Sequence, residues 1–227
     1  MTNFWTPFPQ NRVLAEISLW SAQLASLKDD IVRIDPYTDI YHIDVSDAHF
    51  VPGLLFFPDL VAALRPLTDK PFHVHLMTDH PAALMDDFAQ AGANLITIHA
   101  ENGALVPDAL AKIRALGLSA GLALQLETPP EAAAPYFDQL DLIVMMGTKL
   151  GIKGVGLDSQ ACPRITAMQT MLKTHGLTEK IKVGADGGIR NNTVPDLRAA
   201  GADTVVMGSL AFGSTDLDET FNWLHSL

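Results

Sequence analysis

Apolar positions along the chain fall into two alternating textures. Short runs, often β-branched, recur at Val13–Ser18, Ile40–Val45, Phe72–Leu76, Leu95–His99, Ser119–Leu124, Leu142–Met146, Ile181–Ala185 and Thr204–Met207. Their length and composition read as strands. Between them apolar residues return at helical spacing, as with Leu24, Leu27 and Ile31, or Leu84, Met85 and Phe88. The order is β then α, repeated eight times.

Helix starts are signalled by Pro58, Pro81 and Pro107 as first-turn prolines, and by Thr128-Pro-Pro-Glu131 as a capping box with Pro129 just inside the helix. Helix stops are expected at Gly92, Gly117 and Gly201, where a left-handed residue turns the chain into the next strand. Two of these turns, FAQAGANLITIH and LRAAGADTVVMG, echo one another as a repeated βα unit would. Periodicity alone leaves a closed barrel and a doubly wound open sheet both standing. The placement of polar residues at predicted strand C-termini, where a TIM barrel carries its chemistry, favours a single-domain (β/α)₈ TIM barrel over residues 1–227.

Composition agrees with one soluble α/β domain: 48% of residues are apolar and 18% charged. With Cys162 as the only cysteine, a metal in this chain must rest on histidine and carboxylate. No basic leader and no apolar run of about 18 residues is visible, so a cytoplasmic protein without a membrane segment is expected. A formal net charge of −11 argues against nucleic-acid binding. It does not exclude a phosphorylated substrate, because helix N-termini and metals hold phosphate locally.

Period-two alternation puts His42 and Asp44 on one side of the second strand, and His73, His75 and Met77 on one side of the third, while Asp186 ends the seventh. Histidine and aspartate converging from three strand ends suit one divalent ion, such as zinc, manganese, iron or cobalt, with positions left open for a substrate. A shared cation also keeps two buried aspartates ionised. Gly187-Gly188 and Gly208-Ser209 follow strands seven and eight, where barrels of this kind commonly build a phosphate site from backbone N–H groups.

HIDVSDAHFVP, from His42 to Pro52, resembles the H-x-D-V-x-D-x-H-F-V-P segment of ribulose-phosphate 3-epimerases. HVHLM, ADGGI and VMGSLAFG resemble later signatures of that family, and so do Ser18-Leu19-Trp20-Ser21, His99-Ala100-Glu101 and Ala120-Gly121 through Thr128-Pro129. The resemblance implies that His42, Asp44, His75 and Asp186 are metal ligands, with Asp44 and Asp186 also the acid/base pair. It further implies that Ser18 contacts substrate and that Met77 and Met145 wall the site. Asp47 and His49 are expected to orient the metal ligands, and His99 and Glu101 to be structural.

Three departures bear on the substrate. Ser46 and Gly53 stand where the family usually has Met and Asn, and the loop MMGTKLGIKGVG lacks the family's Pro-Gly-Phe core. Gly151 and Gly154 can preserve part of the backbone contact to phosphate, and Lys149 or Lys153 can add positive charge. The expectation is a metal-dependent 3-epimerase of a phosphorylated ketose, whether a pentulose, tetrulose or hexulose phosphate. An aldose–ketose isomerase and a non-catalytic phosphosugar-binding barrel are the competing readings. The partner is a small phosphorylated sugar, and a homo-oligomer is expected, with Leu54-Leu55-Phe56-Phe57 as a contact or a lid.

Overall fold

The computed structural model describes residues 3–227. Eight parallel strands close on themselves in sequence order: β1 (Leu14–Ser18), β2 (Ile40–Ser46), β3 (Phe72–Met77), β4 (Leu95–His99), β5 (Ser119–Leu124), β6 (Leu142–Met146), β7 (Lys182–Asp186) and β8 (Thr204–Met207). Each predicted run falls on a strand, with ends that move by at most one residue. Closure rests on β1 pairing with β8, from Leu14 opposite Thr204 to Ile17 opposite Met207, and this excludes the open sheet.

The outer ring comprises α1 (Leu27–Ile34), α2 (Pro58–Leu64), α3 (Met85–Gln90), α4 (Val106–Ala115), α5 (Ala161–Thr174), α6 (Val194–Ala200), α7 (Ser209–Phe212) and α8 (Leu217–His225). Between β5 and β6 the crossover is a 3₁₀ segment, Pro130–Tyr136. The capping box expected there does not form: Pro129 stays extended, and the Thr128 hydroxyl donates to Glu101 instead. Gly92, Gly117 and Gly201 end their helices with φ of +96°, +77° and +109°, as a left-handed turn requires. Among the described residues no helix is long and apolar enough to cross a membrane.

Strand residues of one parity pack outward against the helices, with Ile17, Ile43, Val74, Ile96, Leu122 and Val205 in one apolar cluster. The opposite parity fills the barrel. Leu14, Ile40, Leu95 and Leu142 form its lower interior with Trp5, whose indole donates to the Asp141 carbonyl at 2.8 Å.

A device repeated four times joins odd strands to even ones at this lower end. The side chains of Asp39, Asn94, Asp141 and Asp203, each just ahead of an even strand, accept from the backbone N–H of Ala15, Phe72, Ala120 and Val183 at 2.9–3.0 Å. Arg12 and Arg114 pair with Asp39 and Asp141 at 2.7 and 2.6 Å, and Lys182 approaches Asp203 at 3.8 Å. Asn94 and Asp203 end the AGAN and AGAD turns, which gives the internal echo a physical basis: each satisfies a strand N–H that the staggered ladder leaves free.

Candidate active site

At the upper end of the barrel, side chains from β2, β3 and β7 meet. His42 Nε2, Asp44, His75 and Asp186 offer ligand atoms that lie within 4.8 Å of one another. His42 Nε2 stands 3.4 Å from Asp44 Oδ1 and 3.3 Å from His75 Nδ1, which is 3.6 Å from Asp186 Oδ2. His42, Asp44 and His75 are buried, and Ser18 donates to the other oxygen of Asp44 at 2.7 Å.

Neighbouring groups fix which ring nitrogens face the cluster. Glu101 lies 3.0 Å from His99 Nδ1, so that nitrogen carries the proton and His99 Nε2 is left as an acceptor. His75 Nε2, 2.8 Å away, then donates to it, and His75 Nδ1 turns a lone pair toward the aspartates. His42 Nδ1 lies 3.1 Å from Glu16 Oε2, which leaves its Nε2 lone pair facing the same point. Two lone pairs and two carboxylates thus converge without a fixed donor between them. A divalent cation is the group that satisfies such a set, and nitrogen and oxygen ligands suit several first-row ions.

Protonation in the metal-free protein reflects the same crowding. Burial disfavours charge on His42, but Asp44, Glu16 and Asp186 outweigh it and hold the ring well above the usual histidine range. Burial acts against ionised Asp44 too, and His42 and His75 hold it well below the carboxylate range. Asp186 is raised, first by burial and then by Asp44 and Glu16, against the pull of His42 and His75.

Beneath it lies a second cluster of Glu16, His42 and His73. Glu16 Oε2 accepts from His73 Nδ1 at 2.6 Å as well as from His42, and Oε1 accepts from the Thr204 hydroxyl at 2.6 Å. His73 Nε2 meets the Thr97 hydroxyl at 2.7 Å. Burial disfavours charge on both residues. The histidine falls to about 4, while its two imidazole partners keep Glu16 ionised, well below the usual range. Every polar atom here has a partner, so this cluster needs no ion.

Asp44 and Asp186 of the upper cluster open onto a cleft of about 340 Å³. Ser18, Met77, Gly154, Gly187, Gly188, Gly208 and Ser209 line it together with Lys149, Lys153 and Arg190. The glycines are structurally required: Gly187 and Gly188 have φ of +93° and +74°, and a Cβ on Gly188 would lie 2.7 Å from Leu157 Cα. A Cβ on Gly208 would lie 2.4 Å from Ser21 Oγ. Backbone from the loops after β7 and β8 therefore borders open space that a phosphate could enter.

With the geometry in place, relatives are informative. A profile of the Ribulose-phosphate 3 epimerase family matches residues 14–212. The chain belongs to this family. Ribulose-phosphate 3-epimerase of Bacillus subtilis is 34% identical over 200 residues, which span 88% of this chain and 92% of that one. The protein of the same name from Synechocystis sp. is 36% identical, spanning 89% of this chain and 88% of its own length. Among solved structures, 3-keto-L-gulonate-6-phosphate decarboxylase from Vibrio cholerae covers 94% of this chain and 99% of its own at a TM-score of 0.70 and 15% identity. A 3-hexulose-6-phosphate synthase covers 94% and 96%, with a TM-score of 0.66 and 16% identity. These two likenesses are of fold alone. Membership of the ribulose-phosphate 3-epimerase family makes the chain an isomerase of the carbohydrate-phosphate epimerase class.

Within this epimerase, several expected placements change. Met145 packs outward in the apolar layer against the helices, and Met146 lines the cleft. Asp47 and His49 do not reach the His42–Asp44–His75–Asp186 cluster: Asp47 accepts backbone N–H groups of His49, Phe50 and Asp79, which folds the loop after β2. The side chains that contact His42 and His75 from behind are Glu16 and the His99–Glu101 pair. Leu54 and Phe57 are exposed, whereas Phe56 is buried.

The three departures from the family pattern also acquire positions. Ser46 donates to the Gly53 carbonyl at 2.9 Å, so two of them form one contact in the loop after β2. In the loop after β6, the Lys153 ammonium lies 4.6 Å over the Trp20 ring and donates to the Trp20 carbonyl at 2.5 Å. Lys149, Lys153 and Arg190 form no ion pair among the described residues, although all three line the cleft.

Proposed function

We propose that this chain inverts C3 of a phosphorylated ketose by a two-aspartate proton transfer in the presence of one divalent ion. The observation that carries the reading is the convergence of Asp44 and Asp186, from β2 and β7, with His42 and His75, the two aspartates opening onto one cleft. Inversion beside a carbonyl needs a proton removed from one face of a flat enediolate and returned to the other, and two carboxylates reaching one centre from different strands supply the pair of groups for it. Ser18 anchors one oxygen of Asp44 and leaves the other facing His42. Which of the two aspartates acts as base and which as acid is set by the direction of the reaction.

His42, Asp44, His75 and Asp186 would hold the ion. When bound, it polarises the substrate carbonyl and stabilises the oxyanion that develops as the proton leaves. Met77 and Met146 provide an apolar wall that excludes water from the reacting carbons. Phosphate is assigned to the N–H groups around Gly187, Gly188, Gly208 and Ser209, with Gly154 and the lysines of the loop after β6 lining the same cleft. The Ser46–Gly53 contact and the lysine-bearing loop point to a sugar that differs from ribulose 5-phosphate in length, stereochemistry or phosphate position. A Schiff-base aldolase is disfavoured because Lys182 opens β7 at the far end of the barrel and sits near Asp203.

Ion-loaded protein incubated with tetrulose, pentulose and hexulose phosphates should convert one of them to its C3 epimer, read by chromatography of the dephosphorylated sugars. An aldose product would support the isomerase instead, and no conversion of any of them would contradict the proposal.

A further inference from the structure

The interior of a (β/α)₈ barrel is usually filled by bulky branched side chains. Here its middle layer is polar: Glu16 from β1, His42 from β2, His73 from β3, Thr97 from β4 and Thr204 from β8 are all buried. A buried carboxylate with two imidazoles is costly to desolvate and is seldom a net gain over an apolar core. Its retention calls for a purpose beyond filling space.

Room for the layer is made by the neighbouring strands. A Cβ on Gly121 in β5 would lie 2.0 Å from the Thr97 hydroxyl oxygen, and one on Gly184 in β7 would lie 2.9 Å from that of Thr204. Those two hydroxyls are the outer ends of the network, one on His73 at 2.7 Å and the other on Glu16 at 2.6 Å. The two glycines thus make space for the groups that fix Glu16 from both sides. Glu16 in turn faces His42 Nδ1 at 3.1 Å, and His42 is the one residue shared between this layer and the metal-ligand cluster above it.

We infer that Glu16 is a positioning residue of the metal centre, holding His42 as its Nδ1–H tautomer so that the Nε2 lone pair faces the ion, with His73, Thr97 and Thr204 locking Glu16 in place. The inference rests on the metal-dependent reading above. An outer carboxylate behind a ligating imidazole sets the ring's orientation and makes it a stronger donor, and losing such a partner weakens metal binding by about 10–100-fold. Glu16→Gln keeps the shape and one acceptor oxygen but removes the charge, while Glu16→Leu removes both. Affinity for zinc should therefore fall in the order wild type, Gln, Leu.

Two measurements test this without using turnover. Competition between metal-free protein and a chromophoric chelator for Zn²⁺ should show about a tenfold loss for Glu16→Gln and about a hundredfold loss for Glu16→Leu. Long-range ¹H–¹⁵N NMR of the zinc-loaded wild type, which does not depend on the variants folding, should show His42 protonated at Nδ1 with a downfield, slowly exchanging proton. Equal zinc affinity in wild type and a folded Glu16→Leu would overturn the inference while leaving the metal reading intact, as would a His42 protonated at Nε2. A wild type that takes up no zinc, manganese, iron or cobalt would remove the metal reading and the inference with it.

Discussion

Lowering the pH should weaken metal binding by a definite amount. In the metal-free protein His42 is held well above the usual histidine value of 6.5, because Asp44 and then Glu16 and Asp186 outweigh the burial that disfavours its charge. Acid therefore favours a proton on Nε2, the atom an ion would take, and that proton must leave as the ion binds. The sign follows: a raised pKa means that acid favours the protonated, metal-free form, and metal binding releases the proton. One released proton corresponds to a tenfold change in apparent affinity per pH unit, about 1.4 kcal/mol. Asp186, raised by burial and Asp44, adds a second proton at lower pH, so the slope steepens toward a hundredfold per unit. Chelator competition with Zn²⁺ at pH 6, 7 and 8 measures the slope, and calorimetry in buffers of different ionisation enthalpy counts the protons released. From pH 7 to 6 the affinity should fall by about tenfold. An affinity independent of pH over that interval, with no proton release, would refute this competition between proton and ion.

Two further substitutions probe the barrel and the cleft. Gly121→Ala drives a methyl onto the Thr97 hydroxyl that holds His73. Overpacking together with a weakened buried hydrogen bond should cost about 2–4 kcal/mol, a fall of roughly 4–16 °C in Tm for a chain of this size by calorimetry. Unchanged stability would mean that the layer is looser than its distances imply. Lys153→Met should raise KM for the true phosphoketose about tenfold or more with little change in kcat, as expected for a charge-assisted contact to phosphate. An unchanged KM would confine Lys153 to its contact with Trp20.

Strand positions and the meeting of two histidines with two aspartates were legible in the sequence, because β2, β3 and β7 each carry polar residues that set which parity faces inward. His42 with Asp44, His75 with Met77, and Asp186 could be placed on that basis alone. β6 reads Leu-Ile-Val-Met-Met and offers no such marker, so alternation could not say whether Met145 or Met146 faces the cleft. Pairing decides it: Met146 lies opposite Asp186, and so shares its inward face.

Glu16 was detectable in principle. It sits two residues before Ser18, which fixes the inward parity of β1, but a single acid in an apolar run shows no partner until the fold brings His42, His73 and Thr204 to it. Asp47 and His49 looked like supports for the metal because they are close in sequence to Asp44. The loop turns them away, and contacts behind the ligands come from neighbouring strands instead. The Thr128 cap failed for a similar reason: Glu101 accepts from its hydroxyl and Arg164 donates to its carbonyl, which holds Thr128 outside a 3₁₀ segment that begins only at Pro130.

Proton exchange at the substrate carbon tests the central claim most directly. Ion-loaded protein should be incubated with the phosphoketose panel in D₂O and followed by NMR, alongside Asp44→Asn and Asp186→Asn. The expected result is deuterium at C3 of one ketose with appearance of its C3 epimer, and loss of turnover in both variants. Label confined to C1 or C2, or full activity surviving in either variant, would contradict the two-aspartate 3-epimerase.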